Sequence, residues 1–397
     1  MTRSVCVVWI LVAAAAGCGR GKMHLPVRHT AVTEDGWALS VRRYEPEKIN
    51  PQRLPVVLCH GLSYNGVFWD LTPKVSLAQY LRDAGYDVWV PSLRGAGWST
   101  KPPGSRLRQM FLRGNFTSAG GFFTSGGRGA LKVNWTVDDH VNHDVPTLLR
   151  LVTEKTGAAK VHWIGHSMGG MVMAAHLGQH PDEARVDSFV AVAVPVFVLP
   201  PLSAPMAQLA KGRKALAISN AVISTNLPAL MGLIAGKALA TPIDTLFYNR
   251  ANLTDDVVRL LSGAATEDIS PGQLAQLIDM VSGGVFRSAD GKVDYTAALG
   301  AARTPTLFCC GTVDNLATVG AVKKLHAAWG AAGKQFNLFG VVNGQRIDYG
   351  HDDLIIGRNA RREVYPVIRR WLDSRGPKRG LLGLMKPASK PASRPAK

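Results

Sequence analysis

Acidic residues are scarce in this sequence. Asp and Glu number 28 against 46 Lys and Arg in 397 residues, which gives a formal net charge of +18. Such a surplus favours contact with anionic surfaces such as lipid headgroups. No nucleic-acid recognition module accompanies the charge, which argues against a nucleic-acid partner. Seven of the basic residues lie in an acid-free stretch over residues 375–397, which we expect to be a disordered tail.

Cysteine is equally rare. The five cysteines are Cys6, Cys18, Cys59, Cys309 and Cys310, and their spacing does not match a metal site. Cys309 and Cys310 are neighbours in an apolar run, so their side chains should point to opposite faces of a strand. We therefore expect buried free thiols, no disulfide framework, no metal and no cofactor.

Apolar runs long enough to span a membrane are missing. The run at residues 5–16 follows Arg3 and is shorter than the ~20 residues that a spanning helix needs. It is typical of a signal peptide over residues 1–18. Ala15-Ala16-Gly17-Cys18 resembles a bacterial lipoprotein cleavage box, which predicts lipidation at Cys18. The chain would then be an exported bacterial lipoprotein anchored on the periplasmic or cell-surface side. The alternative is an ordinary secretory signal with an incidental cysteine.

Short apolar runs alternate with helical patterns along most of the chain. This alternation predicts an α/β fold with a mostly parallel sheet and helices on both faces. Helices are predicted over residues 71–84 and 353–372, among others. We expect the core to comprise residues 25–196 and 301–374, with a long Gly-, Phe- and Arg-rich surface loop at 101–132. We expect residues 197–300 to form a helical cap over the strand ends. The alternative is a helical subdomain that only stabilises the core.

Gly165-His166-Ser167-Met168-Gly169 fits the pattern G-x-S-x-G. The pattern is weak alone, but here the serine lies between an apolar strand and a helix, as a nucleophile elbow requires. Small glycines permit the sharp turn, and the helix N-terminus favours developing negative charge. Ser167 is therefore the predicted nucleophile.

A serine hydroxyl needs an adjacent base, and folds with this elbow place an acid and then a histidine later in the chain. His351 lies in a loop between the last predicted strand and the last helix, so it is the predicted base. Asp314 follows an apolar strand that ends at Gly311 and is the predicted acid. Asp348 and Asp352 compete for that role, although both could instead shape the turn or cap the helix.

An oxyanion hole needs two backbone N–H groups. We expect one from Met168, directly after the nucleophile, and one from Leu62, in the His60-Gly61-Leu62 turn that follows an apolar strand. His60 could be a second catalytic base, but its place in this turn favours a structural role.

Motifs spread along the chain match those of a known family. They lie at residues 33–37, 59–62, 87–90, 92–95, 98–99, 144–146, 165–167 and 349–352. Together they resemble the α/β-hydrolases, and within them the acid lipases of the gastric and lysosomal type. The resemblance implies the α/β-hydrolase fold, lipid-ester hydrolysis and the triad Ser167, Asp314 and His351. Met168-Gly169-Gly170 departs from the Gln-Gly-Thr that follows the nucleophile in that family.

The sequence therefore predicts a serine carboxylic-ester hydrolase that works through an acyl-enzyme and takes a lipid or other apolar ester. Three alternatives remain. The chain could be an acyltransferase or a polyester depolymerase with the same triad, or a catalytically idle lipid-binding lipoprotein. The complete Ser/Asp/His set in chain order argues against the idle protein.

Overall fold

Apolar, largely β-branched runs form an eight-stranded sheet in the computed structural model, which describes residues 25–101, 134–198 and 244–375. The strand order is β1-β2-β6-β3-β7-β8-β9-β10, and every pair from β6 to β10 in this order is parallel. β1 and β2 join antiparallel at one edge, and β4 pairs with β5 in a separate hairpin. The strands are β1 (Val27–Val32), β2 (Ala38–Tyr44), β3 (Val56–Cys59), β4 (Asp70–Thr72), β5 (Val75–Ser76), β6 (Val88–Pro91), β7 (Val161–His166), β8 (Val186–Val192), β9 (Thr306–Gly311) and β10 (Lys334–Phe339).

Helices connect the parallel strands, and the predicted α/β architecture is confirmed. Shorter 3₁₀ or π-helical turns lie at Gly66–Trp69, His140–Asp144, Arg250–Asn252, Leu261–Ala265, Leu299–Ala301 and Val341–Asn343. The α-helices are α1 (Leu77–Asp83), α2 (Val137–Asp139), α3 (Val145–Thr156), α4 (Met168–Gln179), α5 (Asp244–Phe247), α6 (Asp255–Leu260), α7 (Pro271–Gly283), α8 (Tyr295–Ala298), α9 (Val319–Ala328), α10 (Asp353–Ile356), α11 (Ala360–Glu363) and α12 (Tyr365–Asp373).

The central strands are buried on both faces. Every residue of β3, β6, β7 and β9 is buried, as expected of parallel strands covered by helices on both sides. β3 lies between β6 and β7, so the chain changes direction across the sheet at β3. Ligand sites of open α/β sheets form at the carboxyl ends of strands near such a point.

Two predicted helices were wrong in their extent. The helix predicted over residues 71–84 begins only at Leu77, because the preceding residues form the β4–β5 hairpin and Ser76 caps the helix by accepting from the Gln79 N–H. The helix predicted over residues 353–372 is divided into α10, α11 and α12. The first break follows Gly357, whose extended backbone ends α10.

Several predictions concern residues outside the described ranges. They are the signal peptide with Cys18, nearly all of the 101–132 loop, residues 199–243 of the cap and residues 376–397 of the tail. Most of the described part of the cap, residues 244–300, is built of helices between β8 and β9. Its function as a cap stays a prediction. Within the described ranges, no helix is both long and apolar enough to cross a membrane.

Candidate active site

Ser167 lies in a strained turn between β7 and α4. Its φ and ψ angles are 51° and −120°, a backbone conformation that residues other than glycine rarely adopt. The Ser167 N–H donates to the Val192 carbonyl over 3.0 Å, which fixes the turn to β8. The residue is half-buried, whereas the residues on either side of it are fully buried. The strand–elbow–helix context predicted for this serine is therefore present.

Glycines allow the turn to close. A Cβ on Gly165 would lie 2.4 Å from the Gly169 carbonyl oxygen. A Cβ on Gly169 would lie 2.3 Å from the Cys59 carbonyl oxygen and 2.6 Å from that of His60. Real Cβ atoms essentially never come closer than 3.0 Å, so the start of α4 can pack against the end of β3 only with glycine here.

The loop after β3, residues 60–64, lies directly against the elbow, and we call it the oxyanion loop. A Cβ on Gly61 would lie 3.1 Å from the Ser167 Cβ. Leu62 directly follows Gly61 in this loop, and α4 begins with Met168, so the segments that carry the two predicted oxyanion residues both adjoin the serine. The positive end of the α4 dipole points to the same place.

His60 has a structural role, as the sequence favoured. The Leu93 N–H donates to His60 Nε2 over 3.0 Å, so the proton must be on Nδ1, which donates to the Gly61 carbonyl over 2.9 Å. Burial lowers the pKa of His60 to about 4. Both ring nitrogens are therefore engaged in holding the oxyanion loop.

His351 and Asp314 meet at the carboxyl edge of the sheet. His351 Nδ1 lies 3.0 Å from Asp314 Oδ2 and 3.2 Å from Oδ1. Asp314 Oδ1 also accepts from the N–H groups of Leu316 and Ala317 at 2.9 and 2.8 Å. Because Nδ1–H donates to the carboxylate, the lone pair of the imidazole is on Nε2, where a general base needs it.

The loop that carries His351, residues 344–352, which we call the histidine loop, is anchored to the loop after β9 that carries Asp314 and to the elbow. The Val313 N–H donates to the Tyr349 carbonyl over 3.0 Å, and the ring centroids of His351 and His166 are 4.9 Å apart. His166 Nε2 donates to the His351 carbonyl over 3.3 Å. His166 directly precedes Ser167, so the predicted base packs against the residue at the start of the elbow.

The surroundings of His351 favour its charged form. Burial by itself would lower the pKa of His351, but the neighbouring carboxylates, above all the charge and hydrogen bond of Asp314, together raise it. Asp352 and Asp353 add smaller effects in the same direction. The site therefore stabilises the imidazolium that a base forms when it takes a proton from serine.

The two competing acids have other partners. Asp348 Oδ1 accepts from the Thr312 hydroxyl and the Val341 N–H at 2.8 and 2.9 Å, so it shapes the turn as the sequence allowed. Asp352 precedes α10, but its side chain does not cap the helix. It turns inward, and its Oδ2 accepts from the Tyr64 hydroxyl over 2.6 Å.

A buried polar network behind the elbow was missed at the sequence level. Arg94 pairs with Asp35 and Asp144 at 2.6 and 2.7 Å, and Asp144 Oδ2 accepts from His140 Nδ1 over 2.7 Å. His140 Nε2 in turn accepts from the Gln273 amide over 2.7 Å. Arg94 and Asp144 stand in segments that carried the family resemblance, but a sequence pattern does not show that they form a pair.

This network lines a small pocket beside the nucleophile elbow. The Gln273 amide also lies 3.6 Å from the Met168 sulfur, so α7 of the predicted cap region contacts the first residue after the nucleophile. The lining of the pocket includes polar side chains, such as those of Glu267 and His60, and apolar ones, such as those of Leu93 and Ile269. Its lining residues are His60, Gly61, Ser63, Tyr64, Leu93, Arg94, Ala96, Trp135, His140, Met168, Glu267, Asp268, Ile269 and Gln273.

One group in the site has the residue types of a cation site. His166, His351 and Asp352 each offer a ligand atom, and these atoms lie within 4.8 Å of one another. All three side chains are buried, and the His351 Nδ1 is engaged by Asp314. We interpret the group as a cluster of acid–base groups rather than a metal centre.

Comparison with protein families and curated relatives places the chain in a known group. A family model described as the alpha/beta hydrolase fold matches residues 55–340. Gastric triacylglycerol lipase of Rattus norvegicus is 31% identical over 171 residues, which are 42% of this chain and 38% of the relative. Tear acid lipase-like protein of Mesocricetus auratus is 33% identical over 151 residues, 36% of this chain and 32% of the relative. The match thus spans about a third of the length of these relatives. The expected resemblance to acid lipases is confirmed.

Solved structures agree on the fold. The esterase EaEST from Exiguobacterium antarcticum superimposes with a TM-score of 0.53 at 15% identity, covering 87% of this chain and 100% of its own. The monoacylglycerol lipase of Paleococcus ferrophilus gives 0.53 at 18% identity, covering 85% of this chain and 99% of its own. At such identities the likeness shows the fold alone, and the fold prediction is confirmed.

Proposed function

The chain belongs to the α/β-hydrolase family, and from that premise we propose that it is a serine carboxylic-ester hydrolase of the lipase or esterase type. Ser167 is the nucleophile, His351 the general base and Asp314 the acid that orients it. The observation that carries the proposal is the 3.0 Å contact between His351 Nδ1 and Asp314, beside a serine held in a strained elbow. A binding protein would not require this arrangement.

The proposed reaction has two halves. His351 Nε2 takes the proton of Ser167 while the serine oxygen attacks the ester carbonyl, and the imidazolium then gives that proton to the leaving alcohol. The acyl group remains on Ser167 as an ester. Water attacks this acyl-enzyme with His351 again as base, which releases the carboxylic acid and restores the serine.

Charge stabilisation accompanies both halves. The negative oxygen of each tetrahedral intermediate would be held by the N–H groups of Leu62 and Met168, aided by the N-terminus of α4. Asp314 stabilises the imidazolium of His351. Such preorganised donors often supply the largest single part of an enzyme's rate enhancement.

The proposed substrate is an ester with an apolar acyl group. The names of the relatives, gastric triacylglycerol lipase among them, support lipid esters. We propose that residues 197–300 form a cap that contributes an acyl site. A buried CH₂ contributes about 0.8 kcal/mol, so an apolar cap would favour longer chains.

A panel of 4-nitrophenyl esters of increasing acyl length tests this function. Hydrolysis that rises with chain length supports the lipase, whereas hydrolysis of acetate alone supports a general esterase. Adding an alcohol in excess separates a hydrolase from an acyltransferase, because only the latter would yield the new ester as its main product. If no ester in the panel is consumed by folded protein, the proposal fails.

Anchoring at the membrane is a separate proposal. We propose that Cys18 is lipidated and that the mature chain is an exported bacterial lipoprotein. Stable attachment needs more than one acyl chain, and bacterial lipoproteins carry several. Labelling with a fatty-acid analogue in a bacterial host should mark the wild type and spare Cys18→Ser. Equal labelling of the two would contradict lipidation at this residue.

A further inference from the structure

A buried carboxyl group that the proposed mechanism does not use lies beside the catalytic histidine. Asp352 directly follows His351 and is 0% exposed. Its Oδ2 accepts from the Tyr64 hydroxyl over 2.6 Å, and its Oδ1 lies 3.6 Å from His166 Nε2. Among the described residues Oδ1 has no hydrogen-bond partner. A buried carboxyl oxygen without a partner costs free energy, so its presence points to function rather than to packing.

The contacts of Asp352 connect three elements of the site, two loops and the end of β7. Tyr64 belongs to the oxyanion loop, His166 precedes the nucleophile, and Asp352 itself lies in the histidine loop. Its own N–H donates to the Phe247 carbonyl over 2.7 Å, which fixes the backbone. A single side chain thus spans the elements that hold the nucleophile, the base and the oxyanion donors.

Several titratable groups face the Asp352 carboxyl. They are His351 and Asp353 from its own loop, Asp314 from the loop after β9, Tyr64 from the oxyanion loop and His166 from β7. Burial raises the pKa of Asp352 to about 7, against the opposing effects of His351 and the Tyr64 hydrogen bond. Burial also holds the pKa of His166 well below its usual range, so this ring is neutral and offers no countercharge.

One carboxylate oxygen of Asp352 and one ring nitrogen of His351 lie within 4.8 Å of each other. The effect is therefore reciprocal, and a charge on Asp352 raises the pKa of His351. We propose that Asp352 is a second carboxylate for His351: it stabilises the imidazolium formed when Ser167 gives up its proton, and with Tyr64 it positions the histidine loop against the oxyanion loop. Asp352 is a positioning residue, since it acts through His351 and Tyr64. The inference rests on the proposed hydrolase function.

Asp352→Asn is the central test. The variant keeps the size of the side chain and an acceptor for Tyr64, but it removes the charge. We expect the midpoint of the acid limb of kcat/KM to move down by about one pH unit, because a carboxylate within ~4–6 Å raises a histidine pKa by that order. One pKa unit is a factor of ten in the stability of the imidazolium relative to the neutral imidazole. Because this imidazolium forms during the reaction, kcat should fall by about tenfold. KM should change less than twofold.

Tyr64→Phe provides an independent variant. It removes the hydrogen bond that favours the ionised carboxyl, so the midpoint should shift in the same direction by a smaller amount. The double variant should shift no further than Asp352→Asn alone, because Tyr64 acts on the titration through Asp352. If one substitution prevents folding, the other still tests the proposal.

Tyr86 and Asp373 form a matched control pair. The Tyr86 hydroxyl donates to Asp373 Oδ1 over 2.8 Å, the same chemistry as Tyr64 and Asp352. Tyr86 precedes β6, so this pair lies at the amino ends of the strands, opposite the catalytic loops. Tyr86→Phe and Asp373→Asn should lower the melting temperature without moving the pH midpoint.

Two outcomes would overturn the inference. In one, Asp352→Asn and Tyr64→Phe keep the wild-type midpoint. In the other, these two variants lose activity only in proportion to the loss of folded protein, as we expect of the control variants. Labelling of wild-type Ser167 by a fluorophosphonate keeps the questions separate: an unlabelled, inactive wild type sinks the hydrolase proposal, whereas a labelled wild type with an unaltered Asp352→Asn profile sinks this inference alone.

Discussion

Replacing Gly169 with alanine would place a methyl group against the backbone where β3 joins the oxyanion loop. The new Cβ would lie 2.3 Å from the Cys59 carbonyl oxygen and 2.6 Å from that of His60, whereas real Cβ contacts essentially never fall below 3.0 Å. Because both contacting oxygens belong to backbone, α4 must separate from the end of β3 and the start of the oxyanion loop by at least about 0.7 Å. This separation would displace the N–H of Met168 from that of Leu62.

The expected loss of kcat follows from this displacement of the two N–H groups. A misplacement of about 1 Å costs on the order of 10²-fold in rate, so kcat of Gly169→Ala should fall by about 10²-fold, or ~2.7 kcal/mol of transition-state stabilisation. KM should change little, because the substrate is still bound while the oxyanion is poorly held.

Steady-state hydrolysis of 4-nitrophenyl acetate measures this loss, with thermal unfolding to verify that the variant is folded. Gly300→Ala is the matched control, because a Cβ there meets nothing within 4 Å, and it should keep wild-type kcat. A folded Gly169→Ala that retains more than half of the wild-type kcat would refute the reasoning that this close approach positions the oxyanion donors.

Three further predictions follow from the site and the core. Activity should fall as the pH drops through a midpoint above ~6.5, because His351 must be neutral to act as base and its pKa is raised; a midpoint of kcat/KM below pH 6 would contradict this. Asp314→Asn should lower kcat by about 10⁴-fold, because Nδ1 would no longer face a carboxylate; a loss under tenfold would mean that another acid orients His351. Arg94→Leu should lower the free energy of unfolding by about 3–5 kcal/mol, measured by urea denaturation, because it removes the guanidinium that pairs with the fully buried carboxylate of Asp144 and leaves that carboxylate only its hydrogen bond from His140; a loss under 1 kcal/mol would contradict the importance of this pair.

Local patterns explain what the sequence could predict. Ser167 was identifiable because an apolar strand, two glycines and a helix surround it, and these features act within a few residues. Asp314 and His351 were identifiable because they follow apolar strands, whose carboxyl ends meet at one edge of a parallel sheet. The meeting of their side chains at 3.0 Å needed the structure.

Contacts between distant segments explain what the sequence could not predict. Tyr64 and Asp352 are 288 positions apart, and neither stands in a pattern that predicts a partner. The hydrogen bond from Gln273 to His140 joins segments 133 positions apart. The error over residues 71–84 has a local cause, because their apolar spacing fits a helix as well as a hairpin followed by a helix.

Hydrolysis by Ser167→Ala, together with fluorophosphonate labelling, tests the central claim most directly. The substitution removes only the hydroxyl oxygen, so the protein should fold with the melting temperature of the wild type. We expect kcat to fall by about 10⁶-fold and labelling at position 167 to be lost. A pure, folded Ser167→Ala that retains more than a few per cent of the esterase activity, or that is labelled as the wild type is, would show that Ser167 is not the nucleophile.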